Sequence, residues 1–294
     1  MKEKIDPVIF DLYDEYCHSN MSRRDFLDRA ASLAVVGGSG LLMAKALLPN
    51  YVKAQMISFT DDRIKAKYVE YNSPGGNAGN SKMKGYLVQP KGEGPFPAVL
   101  IIHENRGLNP YIEDVARRAA TEGFLAFAPD ALSAVGGYPG NDDDGKVMQK
   151  NLDREKIFID MKNAAKFLKS HKLSNGNLGV TGFCFGGAVS NYLATELGED
   201  LKASVPFYGS AAKLEDVKKI KAKMIIQYAS DDPRVNAMKD DYEKALKANK
   251  IDFEMFVYPN TKHGFHNNST PRYNKEAAKL AWTRTIALFK KTLK

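Results

Sequence analysis

Cysteine and tryptophan are scarce in this chain of 294 residues, which has two of the first and one of the second. Cys17 lies in the amino-terminal segment and Cys184 stands alone in the remainder, so a disulfide-stapled fold is excluded. No resolving cysteine neighbours Cys184, which argues against a thiol redox cycle. The five histidines show no zinc-type spacing with cysteine, so we expect neither metal nor other cofactor. The region beyond residue 54 has no apolar run long enough to cross a membrane, and no stable membrane insertion is expected there. Internal repeats are absent too. The net charge of +8 comes from scattered lysines. Without a basic stripe interleaved with aromatics it excludes a nucleic-acid partner and leaves a solvated basic surface able to attract anionic substrates. The acidic run Asn141-Asp142-Asp143-Asp144-Gly145 follows a glycine-rich stretch and reads as a loop, with no calcium-ligand spacing.

What is present is a turn that few chemistries need. Gly182-Phe183-Cys184-Phe185-Gly186-Gly187 follows the apolar Leu178-Gly179-Val180-Thr181 and precedes the helix-compatible Ala188-Val189-Ser190-Asn191-Tyr192-Leu193-Ala194. Strand, glycine-crowded turn and helix in that order form a nucleophile elbow, here with cysteine in place of serine. An acid and a histidine should follow downstream, each after a strand. The apolar run 224–228 delivers Ala229-Ser230-Asp231-Asp232-Pro233-Arg234, which makes Asp231 or Asp232 the acid. The run 253–258 leads into Pro259-Asn260-Thr261-Lys262-His263-Gly264-Phe265-His266. His263 is then the base, and His266 is expected to line the same pocket. His103 ends a strand beside Glu104, whereas His18 and His171 stand in polar surroundings and read as solvated. A free thiol titrates near a pKa of about 8.5 and needs a base, a cation or a helix amino terminus to become nucleophilic. The helix after Cys184 and an Asp-oriented His263 supply this, with the backbone N–H groups of Phe185 and Asn105 as oxyanion donors.

Apolar runs over 98–103, 124–128, 178–181 and 203–207 alternate with helical periodicity over 112–122, 153–168 and 184–197. This predicts an α/β class with a mostly parallel, doubly wound sheet and helices on both faces, with 66–71 and 85–89 as antiparallel edge strands. Five motifs carry a more specific likeness. They are Val99-Leu100-Ile101-Ile102-His103-Glu104-Asn105-Arg106-Gly107, Phe127-Ala128-Pro129-Asp130, the cysteine elbow, Ala229-Ser230-Asp231-Asp232-Pro233-Arg234-Val235-Asn236 and His263-Gly264-Phe265. In this order they resemble the dienelactone hydrolase family, a cysteine branch of the α/β-hydrolase fold. The resemblance runs from about residue 60 to the carboxyl end. It implies Asp232 rather than Asp231 as the triad acid, and a glutamate at Glu104 that guards the resting cysteine by proton exchange. It also exposes a departure. The family's two carboxylate-gripping arginines are missing from Ala131-Leu132-Ser133-Ala134-Val135 and from the position of Asn267. Arg106 and Arg272 are the candidate substitutes, and uncharged esters are the expected preference.

Ser22-Arg23-Arg24-Asp25-Phe26-Leu27 matches a twin-arginine export signal, followed by an apolar stretch over 30–48 and a cleavage-compatible Val52-Lys53-Ala54. Residues 1–54 are therefore expected to be an export signal, giving a periplasmic or exported enzyme, with 55–294 as one catalytic domain. The acidic stretch before the motif fits the alternative: an attached helical extension packed through Leu12 and Tyr16 on a cytoplasmic protein. The expected activity is hydrolysis of a small ester or lactone by a Cys184-Asp232-His263 triad. A non-catalytic binding protein on the same fold is the alternative. The oligomeric state is not legible in the sequence.

Overall fold

A computed structural model describes residues 5–19, 21–33, 35 and 39–294. Four helices precede the sheet: α1 Pro7–His18, α2 Arg23–Ser32, α3 Gly40–Leu47 and α4 Tyr51–Ala54. Eight strands follow: β1 Ile64–Asn72, β2 Lys82–Pro90, β3 Phe96–Ile102, β4 Leu125–Pro129, β5 Ser174–Phe183, β6 Leu201–Phe207, β7 Lys223–Asp231 and β8 Phe253–Lys262. Between and after them run α5 Pro110–Thr121, α6 Asp142–Asn151, α7 Arg154–Lys169, α8 Phe185–Glu196, α9 Pro233–Asn236, α10 Lys239–Ala248 and α11 Lys275–Thr292.

The strands form one sheet in the order β1-β2-β4-β3-β5-β6-β7-β8. β2 pairs antiparallel with β1 and β4, and every pair from β4 to β8 is parallel. Parallel strands need crossovers, and the helices supply them on both faces. Ile112 and Val115 of α5 and Ile286 and Phe289 of α11 cover one face, while Met161 of α7, Leu193 of α8 and Leu246 of α10 cover the other. Local signals start these helices where the sequence places them. Asn109 caps α5 ahead of Pro110, and Asp153 accepts the amides of Glu155 and Lys156 at the start of α7.

The acidic run departs from its reading as a loop. Asn141 caps α6, and Asp142, Asp143 and Asp144 occupy its first turn, where carboxylates complement the helix dipole. The amino-terminal helices have a core of their own, built from Ile9, Tyr13, Tyr16, Phe26, Met43 and Leu47. Ser22 and Asp25 form a capping box that starts α2, so Arg23 and Arg24 lie in its first turn. Among the described residues no helix is long and apolar enough to cross a membrane; of the apolar stretch, residues 30–32 end α2 and 40–47 form α3.

Candidate active site

β5 ends at Phe183 and α8 begins at Phe185, leaving Cys184 on the turn with φ 55° and ψ −110°. A side chain at this backbone is strained, and the close approach of strand and helix holds it there. A Cβ on Gly182 would stand 2.1 Å from the carbonyl oxygen of Gly186, and one on Gly186 would stand 2.2 Å from that of Ile102. Both contacts are with backbone, which explains why the elbow tolerates only glycine at these two places.

The carboxyl ends of β3, β7 and β8 converge on the same point. Asp232 follows β7 and caps α9 through Oδ1, while its Oδ2 lies 2.6 Å from His263 Nδ1. Asp231 points elsewhere and pairs with Lys262. His263 Nε2 has no protein hydrogen-bond partner. Cys184 is half-buried, and its sulfur lies within 4.8 Å of a ring nitrogen of His263. Burial alone would push the Cys184 thiol up, but the nearby charge of His263 and the contact with His18 hold it well below the usual range. Burial likewise opposes protonation of His263, yet the Cys184 thiolate and Asp232 raise it to about 9.

His18 is a correction to the sequence reading. It is not a solvated surface residue, since its Nε2 lies 3.8 Å from Cys184 Sγ and its ring meets that of His263 edge-on at 4.9 Å. Asp14, one turn earlier, faces His18 Nδ1 with its backbone carbonyl at 2.9 Å and its carboxylate at 3.3 Å. Arg234 joins them, 3.0 Å from His18 Nε2 and 3.5 Å from His263 Nδ1. Cys184, His18 and His263 together offer ligand atoms of the kind that bind soft metal ions. The Arg234 guanidinium beside both imidazoles opposes an added cation.

The structure distributes the remaining predicted residues unevenly. Glu104 is buried and accepts a hydrogen bond from Asn267 Nδ2 at 3.1 Å. Burial and the Cys184 charge push its carboxyl up, against Arg272 and Arg106. Asn105 donates its side-chain amide to the Cys17 carbonyl at 3.0 Å, and Phe185 is the first residue of α8, where an amide has no intrahelical acceptor. The four expected substrate contacts are not brought to the cavity beside Cys184. Arg106 is turned away to Cys17 Sγ (2.9 Å) and Asp142 (3.5 Å), and the Arg272 guanidinium lies 4.8 Å from the Tyr13 ring centroid. His266 packs between Phe183 and Phe207 and shares a 2.6 Å hydrogen bond with the Tyr111 hydroxyl. Its burial holds it well below the ordinary histidine range, so it is a neutral core residue. Asn267 serves Glu104 rather than the cavity.

That cavity, of about 400 Å³, is lined by His18, Asn105, Cys184 and the cationic side chains of Lys146, Arg154 and Arg234. Sequence reasoning missed His18, Asp14, Cys17 and Arg234. One signal was available: Asp14 and His18 are four residues apart on a helix whose Ile9, Tyr13, Tyr16 and Cys17 form an apolar face.

Comparison with known proteins places the chain in a family. Residues 83–293 match the model of the dienelactone hydrolase family, and residues 1–35 match a separate model described as YqhI-like. A protein of Escherichia coli K12 provisionally described as a hydrolase fragment, YghX, is 53% identical over 116 residues, 39% of this chain and 97% of that one. A protein of Saccharolobus solfataricus provisionally described as a carboxymethylenebutenolidase is 30% identical over 266 residues, covering 78% of this chain and 99% of its own. A crystal structure from Klebsiella pneumoniae, provisionally described as a dienelactone hydrolase, superposes with a TM-score of 0.66 at 26% identity, over 77% of this chain and 99% of that one.

Proposed function

Because the chain belongs to the dienelactone hydrolase family, and is therefore a hydrolase, we propose that it cleaves small carboxylic esters or lactones through Cys184, His263 and Asp232. The observation that carries this reading is the 2.6 Å Asp232 to His263 contact, which leaves Nε2 of the same ring unpartnered near the elbow cysteine.

In the proposed reaction the Cys184 thiolate attacks the carbonyl carbon. The oxyanion forms against the amides of Phe185 and Asn105. Collapse expels the alkoxide, which takes a proton from the His263 imidazolium and leaves an acyl-cysteine. His263 Nε2 then removes a proton from water as it attacks the thioester, and the acid departs. Asp232 keeps the Nδ1 proton in place throughout. Glu104, held by Asn267, is the guard that exchanges a proton with the cysteine.

The charge of the substrate follows from the cavity rather than from the missing family arginines. Lys146 and Arg154 come from α6 and α7, and Arg234 from α9, so positive charge returns from other directions. We therefore assign the site to esters or lactones with an anionic group, in place of the uncharged substrates expected from the sequence. For localisation, the motif of residues 22–27 supports export, while the contacts of α1 with the site support an attached extension.

Purified protein assayed against a panel of small esters and lactones, with Cys184→Ala and His263→Ala as controls, tests the function. Both variants should lose nearly all turnover, because members of one catalytic unit fail together. A Cys184→Ala protein that still turns over would remove the cysteine mechanism. A wild-type protein that binds these compounds without cleaving them would make it a binding protein.

A further inference from the structure

We propose that α1 completes the active site by supplying His18, which, with Asp14 behind it, holds the Cys184 sulfur as a thiolate alongside His263. The inference rests on the reading of Cys184 as nucleophile and adds a second Asp-His pair to it.

The sulfur faces two imidazoles, each backed by its own carboxylate: His263 by Asp232 and His18 by Asp14. The second pair belongs to the segment matched by a separate family model, so the site is assembled from two modules of the chain. Polar contacts fix the end of α1 at this place. Cys17, adjacent to His18, receives Asn105 on its carbonyl and Arg106 on its sulfur, and Lys146 Nζ donates to the carbonyls of Tyr16 (2.7 Å) and Met21 (3.0 Å). The Tyr16 hydroxyl bonds to Asp143, and the Tyr13 ring covers Arg272. Five side chains of the catalytic domain are thereby committed to the segment.

The charges around His18 decide its state. From its own helix comes Asp14, from the elbow Cys184, from α9 Arg234, and from the loop after β8 His263 backed by Asp232; Glu104 and Arg272 stand further in. Arg234 disfavours a second cation, and burial does the same. The bonds to Asp14 and Cys184 outweigh both and raise His18 to about 10. In the proposed state His18 is an imidazolium whose Nε2–H is directed at the Cys184 sulfur rather than accepting from Arg234, and its charge favours the thiolate. A group stabilised in its deprotonated form keeps that form to lower pH. Removal of His18 must therefore move the thiol titration upward, so the acid limb of activity moves to higher pH.

The test uses the full-length chain with His18→Ala, His18→Gln and Asp14→Asn. It measures the rate of iodoacetamide alkylation at the Cys184 peptide, by mass spectrometry, and kcat/KM for an ester, both against pH. Loss of a hydrogen bond to a charged group should shift the alkylation and kcat/KM profiles of His18→Ala upward by about one to two pH units. His18→Gln should shift upward by part of that amount, since glutamine keeps bulk and a donor without the charge, and Asp14→Asn should also shift less than His18→Ala. Added imidazole should return His18→Ala toward the wild-type profile, and unchanged thermal unfolding keeps a folding defect from imitating the result. Unshifted profiles in His18→Ala, or a wild-type profile in His18→Gln, would overturn the role of His18 while Cys184→Ala still lacks activity. Persistent turnover in Cys184→Ala would instead overturn the triad itself.

Discussion

Asp232→Asn separates catalysis from stability at a single position. Oδ1 of Asp232 accepts the Val235 amide and caps α9, whereas Oδ2 meets His263. Asparagine is as good a cap as aspartate, so the unfolding temperature should hold. The catalytic side loses more. A hydrogen bond to a charged group contributes about 1.5–3 kcal/mol, which corresponds to roughly 10- to 150-fold in rate. The new amide can also turn its NH2 toward Nδ1, which puts the ring proton on Nε2 and removes the lone pair that acts as base. Together these effects should reduce kcat on the order of a thousandfold. Burial would no longer be opposed by Asp232, so the His263 titration should fall below about 9. Asp231→Asn loses only an exposed pair with Lys262, and kcat should stay within about twofold. Steady-state kinetics and thermal unfolding of both variants decide the matter. A damaging Asp231→Asn beside a mild Asp232→Asn would refute the assignment of the acid.

Gly186→Ala should fail to accumulate as folded protein, because its methyl would meet the Ile102 backbone at 2.2 Å; a soluble variant with native thermal unfolding would contradict the close approach at the elbow. An ester carrying a carboxylate should exceed its neutral isostere in kcat/KM, with the advantage shrinking as salt is raised; a neutral preference at low salt would restore the expectation drawn from the missing family arginines. Mass spectrometry of the protein from its native compartment should show whether it starts near Met1 or Gln55. A start near Gln55, blocked by lysine at both Arg23 and Arg24, would establish export processing, while an uncut chain indifferent to that change would establish the attached extension.

The strands and the elbow were legible because their signals are local. Apolar runs of four to six residues bounded by turn residues gave every parallel strand, and glycine beside Cys184 marked the turn. The acidic 141–145 segment misled because its preceding glycines outweighed the Asn141 cap and the acid-rich first turn that start α6. The fates of Arg106, Arg272 and His266 depend on partners far away in the chain: Cys17, Tyr13 and Tyr111. Motif spacing places such residues near a site but does not aim their side chains. The i, i+4 spacing of Asp14 and His18 hinted at a pair, but its meeting with Cys184 was hidden for the same reason, since that contact spans 166 positions.

The join between segment and domain has a consequence for the order of events in the life of the molecule. The carbonyl of Ala54, the one a cut after this residue would attack, accepts a hydrogen bond from Asn268 Nδ2 at 2.6 Å. The amide of Gln55 on the other side is bonded back to Tyr51, and those of Met56 and Ile57 are held by Asp114. A protease needs this stretch extended in its cleft, and here it closes a helical turn against the domain. If the chain is a substrate for export processing, scission and wrapping would be competing fates, settled by whichever comes first. A chain cut before it folds has an open cysteine with one histidine, and a chain folded before it is cut shields its scissile bond and keeps both.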